Sequence, residues 1–183
     1  MAGNKETRFM NFEHYEVHDG DMFQAWVADD TMADNATINM AFKTPVSTTK
    51  EIHMVIDIAT KVGCQLEVLE AATWTAQTGT IFVPINANRL STKTSEILGN
   101  ETSTVFAANE MAFGVTTILT TNATTVDRND IYGAQPGRGG QSRGSMELIL
   151  KSGTTYVVRM TAEGASNMGL IKLRWYEYLP NVI

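Results

Sequence analysis

Basic residues are in short supply: 14 Lys and Arg stand against 20 Asp and Glu, for a net charge of -6 and a pI near 5.0. Nucleic-acid binding rests on a clustered excess of Lys and Arg that neutralises phosphates, so this balance excludes general affinity for DNA or RNA. Cysteine is nearly absent. The single thiol, Cys64, rules out an intrachain disulfide framework and a four-cysteine zinc site. It follows Gly63 between two strand-like runs, where a small buried residue is a plainer expectation than a reactive thiol. Long apolar runs are missing too. No stretch approaches the roughly 18 apolar residues of a membrane span, and Met1 to Arg8 hold no signal-peptide core. The expectation is a chain made in the cytoplasm and kept there unless an assembly carries it out. With three histidines, no Gly-x-Ser-x-Gly and no Cys/His pair at a catalytic spacing, no enzyme activity and no cofactor are expected. A glycosidase pair of carboxylates stays open, because its separation is a property of the fold.

What is present is an ordinary globular composition, 43% hydrophobic and 19% charged over 183 residues, enough for one domain with a core plus an arm. Residues 1 to 12 are polar with isolated Phe9, Met10 and Phe12, and read as an N-terminal arm whose apolar residues would dock on a neighbour. Residues 13 to 183 read as one domain. Strands are expected at His14 to His18, Met22 to Ala28 (after a hairpin turn at Asp19-Gly20-Asp21) and Thr37 to Lys43. The most regular, Ile52 to Ala59, puts Ile52, Met54, Ile56 and Ile58 on one face and His53 and Asp57 on the other. Gln65 to Ala71 reads as a strand, with a short helical stretch as the alternative, and Thr80 to Pro84 as a short strand before a polar loop, Asn86 to Ser91. Residues 92 to 114 leave room for a short helix at Ser95 to Leu98 or Asn109 to Phe113.

Val115 to Thr121 is a strand by propensity, and Asn122 to Ser145 is the longest breaker region. Met146 to Lys151 alternates again. The chain then closes on a hairpin, in which Tyr156, Val158, Met160 and Ala162 share one face of the first arm. In the second arm Ile171, Leu173, Trp175 and Leu179 oppose Lys172, Arg174 and Tyr176. Nine or ten short strands with frequent turns predict an all-β antiparallel sandwich of jelly-roll type with long loops.

Each candidate site has a bland alternative beside it. His14, Glu16 and His18 at i, i+2, i+4 of a strand would present three metal ligands, against a plain polar strand face; no fourth ligand stands out, so no metal is expected. Asp19, Asp21, Asp29, Asp30 and Asp34 would surround calcium only if their loops met, and their spacing fits no EF-hand, so solvated turn acids are favoured. The glycine-rich loop carrying Arg138 and Arg143 lacks a P-loop ending and reads as a basic segment suited to carboxylates on a partner, or as simple disorder. Trp26, Trp74 and Trp175 would make a sugar platform if exposed together, though a tryptophan on an alternating strand is more often core.

Three stretches carry a resemblance. They are Tyr15 to Gly20, Pro84 to Ser91, and the succession Gly139-Gly140-Gln141-Ser142-Arg143-Gly144, Glu147 to Lys151, Thr154 to Thr161 and Leu173 to Glu177. Together they resemble a family of tailed-bacteriophage capsid decoration, or cement, proteins. The resemblance implies a jelly-roll virion protein that clamps neighbouring major capsid subunits on the outside of the expanded head, commonly as a homotrimer. Phe9, Met10, Phe12, Arg138 and Arg143 would then be the capsid contacts, with no nucleic acid, membrane or small-molecule substrate as partner. A phage tail or fibre module that binds a receptor, a carbohydrate for instance, is the alternative.

Overall fold

The computed structural model describes residues 12–46, 50–75, 78–97, 111–131 and 147–178. In chain order these form helix α1 (Phe12–Asp19) and strands β1 (Met22–Met32), β2 (Thr37–Lys43), β3 (Glu51–Thr60), β4 (Cys64–Glu70), β5 (Thr80–Ile81), β6 (Ile85–Asn86), β7 (Ala112–Phe113), β8 (Thr124–Ile131), β9 (Glu147–Leu150), β10 (Thr155–Ala162) and β11 (Asn167–Tyr178). They make two antiparallel sheets: a five-stranded one ordered β6-β1-β11-β3-β9 and a six-stranded one ordered β5-β7-β2-β10-β4-β8. The long strands follow one rule. The first four pair in reverse order with the last four, β1 with β11, β2 with β10, β3 with β9 and β4 with β8.

Alternation explains the core. Phe23 and Ala25 of β1, Ile171, Leu173 and Trp175 of β11, and Ile52, Met54, Ile56 and Ile58 of β3 face Ile38, Met40 and Phe42 of β2, Tyr156, Val158 and Met160 of β10, and Leu66 and Val68 of β4. The expected inner faces are the observed ones. Each Val, Leu, Ile, Phe or Met side chain among them contributes about 1.5–3 kcal/mol by leaving water. A smaller cluster, Ala41, Leu69, Ala72, Ala112, Val115 and Val157, lies on the outer side of the six-stranded sheet, where Trp74, Ile118 and Ala123 pack against it.

Three expectations need correction. His14 to His18 lies in a helix, not a strand. Asp21 N–H donates to Glu16 O (3.0 Å) and Gly20 N–H to Val17 O (3.2 Å), with Gly20 at φ +79°. That is a Schellman cap, so Gly20 ends a helix where a hairpin turn was expected. It also allows close approach, since a Cβ there would stand 2.3 Å from Ser91 Oγ.

Val115 to Thr121 forms no strand beyond a single bridge between Thr73 and Leu119. Thr117 at φ 52° turns the chain, and Asn39 captures the Val115 backbone at both its N–H (2.9 Å) and its carbonyl (3.1 Å). The strand forms instead at β8, inside the stretch read as breaker. Propensity yielded there to the availability of a partner, β4.

The closing pair is not a hairpin either. β10 and β11 belong to opposite sheets, and their apolar faces meet across the core instead of lying side by side. The segment 163–166 is therefore an arch between sheets, as are 33–36 (β1 to β2) and 61–63 (β3 to β4). The three arches are bonded together: Asn35 N–H to Ala162 O (3.0 Å), Ala162 N–H to Ala36 O (2.8 Å) and Glu163 N–H to Gly63 O (2.9 Å). Smaller differences are that Thr80 to Pro84 is a strand only over β5, and that Ala112–Phe113 is strand β7 where a helix had been allowed.

Candidate functional site

The residues expected to meet a partner fall largely outside the described part of the chain. Phe9, Met10, Arg138 and Arg143 lie outside it, and Phe12 opens α1 with its side chain undescribed. What the structure describes is where those segments join the fold. The expected arm runs into α1, whose first residue is Phe12 and which packs on the start of β1; the Arg-bearing stretch runs from β8, an edge strand of the six-stranded sheet, into β9, an edge strand of the five-stranded one. The arm and one end of the Arg-bearing stretch thus attach to the five-stranded sheet, and the other end of that stretch to the six-stranded one.

A polar cluster links them. His53, Glu147 and Tyr176 project from the outer faces of β3, β9 and β11. The Tyr176 hydroxyl donates to Glu147 Oε1, His53 Nδ1 lies 2.8 Å from the same oxygen, and the His53 ring stacks on Tyr176 with centroids 4.8 Å apart. Tyr178 meets His53 edge-on at 6.2 Å. His53 Nε2 has no hydrogen-bond partner among the described residues, and stands 3.5 Å from Glu51 Oε2. The Tyr176 hydrogen bond, with that of His53 after it, holds Glu147 below the usual carboxylate range. On α1, burial and the nearby Asp21 and Asp19 charges push Glu16 above that range, while Lys93 and His53 act the other way. Glu16 and Glu147 therefore both respond to His53, one from each attachment.

Beyond the sheet edge the segment 85–97 closes this end of the sandwich. Asn86 Nδ2 donates to Gly20 O (2.7 Å) and Lys93 O (3.0 Å), Asn88 Nδ2 donates to His18 O (3.0 Å), and Lys93 Nζ pairs with Asp21 (2.7 Å). Deeper in, Glu177 is 4% exposed and accepts from Ser95 Oγ (2.6 Å), Glu96 N–H (2.9 Å) and Trp175 Nε1–H (3.3 Å). Burial raises its carboxyl above the usual range despite these donors and Lys50 at 3.9 Å.

The other sequence candidates separate. Glu16 and His18 belong to a helix and not to a strand, the His14 side chain lies outside the described ones, and among the described residues no group of three His, Cys, Asp or Glu is placed to hold a metal ion. The five aspartates sit at opposite ends of β1, about 26 Å apart by strand rise. Asp21 pairs with Lys93, Asp29 accepts from Thr31 N–H (2.8 Å), and Asp34 accepts from Gly164 N–H (2.7 Å). The three tryptophans occupy three layers: Trp175 in the core, Trp74 outside the six-stranded sheet, and Trp26, 40% exposed, edge-on to Phe82 at 5.5 Å. They form no common platform. Cys64 is buried, and burial pushes its thiol up to about 11, as an inert core residue should be.

Sequence reading placed His53 and Tyr176 on polar strand faces but did not join them. His53 and Glu147 are 94 positions apart, so only the β3–β9 and β3–β11 registers bring the cluster together. No protein-family model, curated protein or solved structure matches the chain.

Proposed function

We propose that the chain is a non-enzymatic virion structural protein of a tailed bacteriophage that binds the outer surface of the capsid and stabilises the head, a decoration protein. In this reading the sandwich is a jelly roll. Support comes from the strand order: β1-β11-β3-β9 faces β2-β10-β4-β8, a ribbon whose successive long strands alternate between sheets except at β4 and β8, which pair in the same sheet. The observation that carries the functional reading is the convergence of the two partner-seeking segments. The arm with Phe9, Met10 and Phe12 joins the five-stranded sheet through α1, and the loop with Arg138 and Arg143 leaves the six-stranded sheet at β8 and enters the five-stranded one at β9. A module gripping the seam between shell subunits needs two such reaches on one side. The major capsid protein is the partner, the homotrimer the working form, and the capsid exterior the location.

The exposed Trp26, flanked across the sheet by Lys172, favours a second reading, a tail or fibre module that stacks on a receptor carbohydrate. Co-sedimentation with emptied heads of the phage that encodes the chain separates the two. Decoration predicts a fixed ratio per capsid subunit, with binding lost on deletion of residues 1–12 and, where Arg138 and Arg143 contribute, weakened by salt. A folded protein that stays in the supernatant and binds a glycan array would replace decoration with the receptor reading.

A further inference from the structure

Edge strand β9 is four residues long and pairs with β3. The chain just past its far end is tied to the six-stranded side of the sandwich. Thr44 Oγ1 donates to Lys151 O (2.6 Å), Lys151 N–H donates to the Tyr156 hydroxyl (2.9 Å), and Lys151 Nζ pairs with Glu70 (2.6 Å). Its near end is held at the outer face by Glu147, whose Oε1 accepts from the Tyr176 hydroxyl and lies 2.8 Å from His53 Nδ1. The imidazole stands between two carboxylates, because Nε2 on its other side is 3.5 Å from Glu51 Oε2. That nitrogen is shut off from water and has no hydrogen-bond partner among the described residues. A neutral imidazole carries one N–H, so it serves one of these carboxylates and turns a lone pair toward the other. The imidazolium donates to both.

We propose that His53 is a proton-operated latch on β9: with a second proton it donates to Glu147 and Glu51 together and fixes the start of the edge strand, and on losing that proton it lets one of them go. The inference goes beyond the decoration reading and does not depend on it. Histidine is the side chain whose charge ordinarily changes between about pH 5 and pH 8. The groups around this one favour the added charge. They are Glu147 on β9, Glu51 on β3 itself, Glu16 on α1, and Tyr178 and Tyr176 on β11, the last stacked on the ring at 4.8 Å, with the apolar Ile149 opposite on β9. The nearby cations are engaged elsewhere, Arg174 with Asp57 (2.6 Å) and Lys93 with Asp21 (2.7 Å). Glu147 keeps its charge across the range, held below the usual carboxylate values by the Tyr176 hydrogen bond. Glu16, pushed up by burial, is the carboxylate whose own protonation would act against the latch in stronger acid. The latch therefore contributes most on the acid side of the imidazole titration and is lost as pH rises through it.

The test is amide hydrogen exchange of the full-length chain, read by NMR as protection factors so that the intrinsic pH dependence is removed, at about pH 8 and about pH 5.5. In wild type the β9 amides bonded to β3 are expected to be at least about threefold better protected in acid, the gain of one charge-assisted hydrogen bond partly screened by solvent. Amides at the sheet centre, such as Ile56 and Leu173, should change less. His53→Gln should abolish the gain, and Glu51→Gln, which keeps an acceptor but not the charge, should shrink it. Equal protection of β9 at both pH values in wild type overturns the latch, as does a gain that persists undiminished in His53→Gln. A rise of the same size at Ile56 and Leu173 makes the effect one of global stability and also overturns it. Should His53→Gln not fold, the half-exposed Glu51→Gln decides alone, and a gain equal to that of wild type overturns the latch.

Discussion

Replacing Asn167 by alanine is expected to lower stability by about 3 kcal/mol, roughly 6–12 °C in Tm for a domain of this size. Asn167 is fully buried at the start of β11, where the three arches meet. Its Oδ1 accepts from Val62 N–H (2.8 Å), Met168 N–H (2.9 Å), Lys61 N–H (3.1 Å) and Thr60 Oγ1 (3.1 Å), and its Nδ2 donates to Gly63 O (2.7 Å). Alanine leaves several backbone groups without partners at a place where water reaches only part of them, and each such group costs about 1–3 kcal/mol. Asn167→Asp keeps the acceptor but sets a carboxylate against the Gly63 carbonyl, so an intermediate loss is expected. Urea unfolding checks this: a lower midpoint at unchanged slope for both variants, in that order. A midpoint within about 0.5 kcal/mol of wild type for Asn167→Ala would show that the arches hold without the amide.

Glu177→Ala is expected to cost about 3–5 kcal/mol, because it strips a buried acceptor from donors that have little else to bond. Ser95 Oγ, Glu96 N–H and Trp175 Nε1–H converge on the carboxylate, and Lys50, which also pairs with Glu96 at 3.1 Å, would lose its 3.9 Å contact with it. Glu177→Gln keeps one acceptor oxygen but turns an amide NH2 toward a set of donors, so a smaller loss, about 1–2 kcal/mol, is expected. The two variants also differ from wild type in pH dependence. Burial raises the folded-state Glu177 carboxyl above its unfolded value. Its contribution is therefore fully present below the unfolded value and is lost as pH rises through the folded one. The gap between wild type and Glu177→Gln should widen as pH falls from neutrality toward the ordinary carboxylate range. Thermal melts from pH 7 to pH 4 measure it, and a gap that narrows on acidification would contradict the direction assigned to Glu177.

Much of the fold was legible because period-two alternation says which residues face the core. Thr37 to Lys43 is β2 residue for residue, and Ile52 to Ala59 lies inside β3. Alternation names a face, however, and not a neighbour. Nothing in Tyr156-Val157-Val158 or Leu173-Arg174-Trp175 tells that the two strands lie in opposite sheets; the crossing is held by contacts between arches distant in sequence, such as Asn167 Nδ2–H to Gly63 O (2.7 Å). Edge strand β8 escaped notice for a related reason. Asp127, Arg128, Asn129 and Asp130 blunt an edge against unwanted pairing, and in doing so remove the apolar signal of a strand. α1 was misread because its eight residues show no apolar stripe and its ending, Asp19-Gly20-Asp21, is equally good turn chemistry. The His53–Glu147–Tyr176 cluster depends on two strand registers at once, which no local pattern encodes.

Decoration itself is tested most directly by the melting of the shell. A protein that binds the assembled head and not its dissociated subunits stabilises the head by mass action, by about 2.7 kcal/mol per site at a hundredfold excess over Kd. Calorimetry of emptied, expanded heads with and without the purified chain should show the capsid transition moved upward, in proportion to occupancy until the sites are full. A capsid transition at the same temperature with the protein present in saturating amounts would contradict the account.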